Sequence, residues 1–106
     1  MAKLESDYKR ALKKRIQERI PGSIVFYIDP ALSFQGAPDL MIIYEDCWAM
    51  LEVKRSASAP KRPNQEYHVN RLDEMSFAAF IYPENEEEVL DAVERSFEAR
   101  GASFIS

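Results

Sequence analysis

The chain is poor in the residues that build covalent scaffolds. Cys47 is the only cysteine among 106 residues, so an intrachain disulfide and a cluster of thiol ligands are both excluded. A reducing, cytosolic setting is the expectation that goes with this. Long apolar runs are missing too, and none approaches the roughly 20 residues of a membrane helix. The first residues, Met1-Ala2-Lys3-Leu4-Glu5-Ser6-Asp7, turn acidic at once and show no apolar signal-peptide core. Glycine is scarce, at three residues, and each falls at a break in the hydrophobic pattern. No internal repeat and no low-complexity segment occurs. His68 is the lone histidine, read as a helix-surface residue.

What is there suits one compact domain spanning residues 1–106. Hydrophobic residues make up 46% and charged residues 30%, ordinary values for a globular chain. The net charge of −4 argues mildly against nucleic acid, but the charge is unevenly placed. Residues 1–71 carry 12 Lys/Arg against 9 Asp/Glu, whereas residues 72–106 carry 2 against 9. A local basic patch can steer a ligand regardless of the total.

Residues 4–20 repeat apolar side chains at helical steps, with Leu4, Tyr8, Leu12, Ile16 and Ile20 on one stripe, and Pro21-Gly22 ends the segment. Counted from Leu4, Glu5 falls at about 100°, inside that stripe, whereas Glu18 falls outside it at about 320°. A carboxylate on a buried face needs a metal or a lysine. The alternative is a first-turn residue in water, or, with Ser6 as N-cap, a residue just outside the helix.

Ser23 to Ile28 reads as a strand, and Asp29 to Ala37 as a loop. Two apolar runs follow, Leu40–Tyr44 and Cys47–Val53, with Glu45-Asp46 between them. A hairpin turn centred on that pair makes the numbers of opposed residues sum to 91. Asp39 then faces Glu52 at roughly 5 Å between Cβ atoms. Lys54, two residues on, emerges on the same face. Two carboxylates and an ammonium would converge there, a spacing that suits a hard divalent cation. Ordinary charged strand ends are the alternative. Both hairpin faces are apolar, so cover on both sides is expected.

Residues 55–63 form a small, basic, proline-containing loop whose Arg55, Lys61 and Arg62 suit phosphate contacts; a solvated linker is the plainer reading. Asn64 is expected to cap a helix running to Met75, with Gln65 and His68 on one side of its first turns. A short strand follows at Ala78–Tyr82. Asn85 with Glu88 suggests a capping pair for a last helix ending near Arg100, with Gly101 as its stop.

The order α-β-β-β-α-β-α, with Gly36-Ala37-Pro38-Asp39-Leu40, Leu51-Glu52-Val53-Lys54, Pro63-Asn64-Gln65-Glu66-Tyr67 and Phe77 to Asn85 in these places, resembles the PD-(D/E)XK nuclease superfamily. Within it, the chain is similar to the VRR-NUC family and its small stand-alone bacteriophage members. The resemblance implies an α/β, restriction-endonuclease-like single domain with a mixed central sheet flanked by helices. It implies a Mg²⁺- or Mn²⁺-dependent endodeoxyribonuclease acting on branched DNA such as Holliday junctions. Asp39, Glu52 and the Val53 carbonyl would hold the metal. Lys54 would orient water, Gln65 would support it, and Glu5 would reach the metal through water or at a second site. A homodimer is implied, with no membrane association and no organic cofactor, in the bacterial host cytosol if phage-encoded.

Two carboxylates beside Lys54 oppose loss of its proton, so it is read as a charged, water-positioning group. The acidic stretch from Glu84 to Glu88 requires DNA to approach from another side. A non-catalytic DNA-binding or scaffold domain is the rival reading, and a partner-binding module using the acidic last helix is a third.

Overall fold

The computed structural model describes residues 2–103. Three helices and four strands follow in the expected order: α1 (Ala2–Arg19), β1 (Ile24–Tyr27), β2 (Leu40–Tyr44), β3 (Cys47–Val53), α2 (Pro63–Met75), β4 (Ala78–Ile81) and α3 (Glu86–Ala99). A short 3₁₀ turn, Pro30–Leu32, interrupts the loop after β1. Asp29 starts that turn by accepting a hydrogen bond from the Ala31 N–H.

The sheet order is β1-β2-β3-β4. The first three strands are antiparallel and β4 lies parallel to β3. The parallel step exists because α2 carries the chain back across the sheet between β3 and β4. In the hairpin, Leu40 opposes Leu51 and Tyr44 opposes Cys47, the register expected from a turn at Glu45-Asp46. Glu45 takes a left-handed φ of 56° in that two-residue turn, as tight hairpin turns require.

A period of two divides the sheet into unlike faces. Val25, Leu40, Ile42, Ala49, Leu51, Val53 and Ile81 point toward α1 and α3, where Leu12, Ile16, Val93 and Phe97 complete a core of nearly zero exposure. The other face is covered by α2 only over β3 and β4. Met50 and Glu52 are buried there, whereas Met41, Ile43 and Trp48 are half-buried and Ile24 and Phe26 are exposed. Cover on both sides of the hairpin is therefore incomplete, because one 13-residue helix is too narrow for four strands.

Local details differ from the sequence pattern in instructive ways. Helix α1 already begins at Ala2, so Ser6 is not its cap and Glu5 lies in its first turn. The Leu4 side chain lies outside the described residues. Helix α2 starts at Pro63, with Arg62 as N-cap, because proline is well suited to a first helical position. Asn85 precedes α3 but makes no side-chain cap. Its amide instead accepts from the Tyr82 N–H and donates to the Phe80 carbonyl, tying the end of β4 to the helix.

Candidate active site

Leu40 opposes Leu51 at the start of β2, so Asp39, the residue before it, comes level with the Glu52–Val53 end of β3. Asp39 Oδ1 accepts the Val53 backbone N–H at 3.0 Å. In an extended strand the carbonyl of a residue leaves on the same side as its N–H. The Val53 carbonyl is thus directed to the Asp39 side of β3. The next backbone N–H, that of Lys54, turns the other way and donates to Ile81 of β4 at 2.8 Å.

Gln65 locks the second carboxylate and the lysine together. Its Oε1 accepts from Lys54 Nζ at 2.9 Å and from the Arg62 N–H at 3.1 Å. Its Nε2 donates to Glu52 Oε2 at 3.2 Å. Lys54 Nζ itself lies 3.8 Å from Glu52 Oε2. Each atom of the amide is therefore used, and the helix start at Pro63 sets its direction.

A hollow of about 450 Å³ opens over these groups, and Glu5, Asp39, Glu52, Val53, Lys54, Arg55, Arg62 and Gln65 all border it. The candidate residues drawn from distant parts of the sequence thus meet at one place. Lys61 stands apart from that border; its ammonium lies over the rings of Phe80 and Tyr82, at 4.9 and 5.8 Å. Phe80 is the register neighbour of Glu52, so Lys61 still contributes positive charge beside the site.

One residue of the site was not anticipated. Lys9 of α1 places its ammonium 2.9 Å from Asp39 Oδ2 and 4.0 Å from Glu5. It falls at about 140° on the α1 wheel, inside the apolar stripe that also contains Glu5. Burial works against its charge, but the hydrogen bond to Asp39 and the charges of Asp39, Glu5 and Glu52 raise its pKa overall.

Glu52 is the electrostatic focus. Burial and the neighbouring Asp39 charge push its pKa up to about 7 from 4.5, against the opposing effect of Lys54 and Lys9. Burial thus outweighs the two ammonium groups, and a dication at this place would favour the charged form of Glu52. Among the described residues no group of three His, Cys, Asp or Glu side chains is close enough to enclose a metal. That limit still fits Mg²⁺ or Mn²⁺, because a small hard cation commonly takes one or two carboxylates and fills its shell with water and substrate phosphate. The donor set of Asp39, Glu52 and the Val53 carbonyl is all oxygen, as such an ion requires.

The fold has counterparts among solved structures. One solved structure, a VRR_NUC domain, superposes with a TM-score of 0.59 at 22% identity, covering 90% of this chain and 95% of its own. A second, a VRR_NUC domain protein, gives 0.62 at 13% identity, with 89% and 88% covered. The chain thus has the fold of VRR_NUC domains. No family model matches the sequence, and no curated protein does.

Proposed function

We propose that this chain is a divalent-metal-dependent DNA endonuclease of the VRR-NUC type, within the PD-(D/E)XK superfamily, cutting branched DNA such as four-way junctions. The observation that carries this reading is the convergence of Asp39, a Glu52 pushed up to about 7, Lys54 and Gln65 in one hollow, in a fold shared with VRR_NUC domains.

Asp39, Glu52 and the Val53 carbonyl would hold Mg²⁺ or Mn²⁺. The bound ion supplies Lewis acidity at the phosphate and lowers the pKa of water. Lys54, held by Gln65, orients the attacking water and balances charge building on the phosphate oxygens. Gln65 fixes Glu52 and Lys54 relative to each other. Glu5, which borders the hollow, would reach the ion through water or at a second site. Lys9 pairs with Asp39 Oδ2 and would compete with a cation for that oxygen. Arg55 and Arg62 border the hollow and contact the flanking phosphates, with Lys61 nearby.

Of the acids near α3, Glu86 pairs with Arg15, and Glu87, Asp91 and Glu94 surround Arg19, both on α1, whereas Glu84 accepts from the Ala57 N–H of the basic loop. A homodimer accounts for symmetric cuts, since one small domain offers one site. No helix among the described residues is long and apolar enough to cross a membrane.

The test is cleavage of labelled four-way junction, flap, duplex and single-stranded DNA with Mg²⁺ or Mn²⁺. Junction cutting that vanishes in Asp39→Ala while the fold persists supports the proposal. Absence of cutting on every DNA with either metal turns the reading toward an idle, non-catalytic domain.

A further inference from the structure

Beside the metal-binding carboxylates stands a group of aromatic rings that the reaction does not use. The loop after β1 is pinned to α2 at Gly36. Its φ is +89°, and a Cβ there would lie 3.0 Å from Asn64. Only glycine permits this approach without strain. The clamp brings Phe34 against His68, one helical turn beyond Gln65, with ring centroids 4.6 Å apart and planes inclined at 62°. Tyr67 joins edge-on to His68 at 5.0 Å.

These rings are poorly buried for their type. Phe34 is 51% exposed and Tyr67 59%, and none of the three belongs to the core. Half-wet aromatic surface held in place by a glycine clamp contributes little to folding. It is well suited to stacking, because every nucleobase offers a flat face.

Two further observations tie the rings to the site. A second hollow, of about 460 Å³, is bordered by both Phe34 and Asp39, within the roughly 300–1,000 Å³ range of ligand sites. Arg55 and Arg62 border the same hollow as Asp39, where a phosphate backbone would run. Asp39 thus shares one hollow with Phe34 and the other with Arg55 and Arg62.

We infer that Phe34, His68 and Tyr67 receive an unstacked nucleobase of the DNA strand whose phosphate enters between Asp39 and Glu52. This rests on the nuclease reading and adds the feature of the substrate that is recognised. A base inside an intact duplex is already stacked on both sides and cannot enter. An unpaired or splayed base at a branch point can, and stacking is tolerant of sequence. The platform thus selects for DNA structure over DNA sequence.

The test uses Glu52→Gln as parent, so that DNA binds without being cut, and 2-aminopurine placed at the unpaired position beside a branch. The expected result is quenching of its fluorescence on binding. Phe34→Ala or Tyr67→Ala should abolish the quenching and weaken binding of branched DNA roughly tenfold, leaving uninterrupted duplex unchanged. Phe34→Leu, which still fills the contact with His68, should lose the quenching as Phe34→Ala does while retaining the parent's melting temperature. Tyr67→Ala, at an exposed position, keeps the test open if a Phe34 variant misfolds. Unchanged quenching and affinity, or an equal loss on duplex and branched DNA, overturns the inference. If the parent binds no DNA, the nuclease reading falls and takes this inference with it. If wild type cuts DNA and the aromatic variants behave as their parent, only this inference falls.

Discussion

Two clusters of carboxylates lie at opposite electrostatic extremes in this small protein. At the α1–α3 contact, Glu86 meets Arg15 through two hydrogen bonds of 2.6 and 2.8 Å and accepts a third from Tyr8 at 3.0 Å. Burial opposes its charge, but the arginine prevails and its pKa is lowered. At the sheet end, Glu52 has a glutamine and a lysine as partners, with Asp39 pressing against it, and its pKa is pushed up to about 7. The first cluster is satisfied by the chain's own cations and serves to hold helices. In the second, burial first and the Asp39 charge next disfavour the ionised form of Glu52. A carboxylate perturbed in this way marks a candidate functional site.

The comparison breaks most visibly at the ligands. Asp39→Ala or Glu52→Gln should lower cleavage by roughly a thousandfold or more, the several kcal/mol a metal supplies, with far-UV circular dichroism unchanged. Arg15→Ala should leave cleavage intact, and an equal loss in that variant would erase the distinction between the clusters. Gln65→Ala should weaken metal affinity about 10- to 100-fold, as expected for a group that orients a ligand; a Mn²⁺ titration reads this directly.

The two clusters should also answer pH with opposite slopes. Glu52 holds its proton more tightly folded, at about 7, than its ordinary 4.5. Without a divalent cation, its contribution to stability is therefore present below about 4.5 and lost as pH rises toward 7. Glu86, with its lowered pKa, contributes stability above its ordinary value that is lost as pH falls through the lowered one. Urea midpoints in EDTA across this range should drop toward neutral pH in wild type and flatten in Glu52→Gln. Mn²⁺ should remove the drop.

Smaller effects sharpen the picture. Lys9→Met should tighten Mn²⁺ binding by up to about fivefold, since a partly exposed ion pair contributes at most about 1 kcal/mol. Weaker binding in that variant would instead give Lys9 a supporting role at the metal. Arg19→Ala should cost about 1 kcal/mol of stability by the same measure, with no change in metal binding, read by thermal unfolding.

Much of the site was legible in the sequence because it rests on periodicity. The turn at Glu45-Asp46 fixed the partner of every hairpin residue, and from that Asp39 against Glu52 and Lys54 on their face. The helical wheel put Glu5 on the inward stripe of α1, and only the resemblance joined it to the site. Lys9 lay on that wheel as well and was passed over, because a lysine at a stripe edge looks like an ordinary snorkelling side chain. The role of Asn85 was obscured because the cap pattern is local, whereas its amide reaches back to Phe80 and Tyr82 of the preceding strand end. The ring group at Phe34 and His68 was not readable at all. It depends on Gly36 meeting Asn64 across 28 residues of sequence, a contact no periodic pattern encodes.

The central claim is that the Asp39–Glu52 pair is incomplete without a dication. Its most direct test is Mn²⁺ binding near neutral pH, followed by electron paramagnetic resonance of the free ion, in wild type, Asp39→Ala and Arg15→Ala. One ion bound per chain in wild type and Arg15→Ala, and none at the same concentration in Asp39→Ala, is the predicted result. No binding in wild type, or undiminished binding in Asp39→Ala, would contradict it.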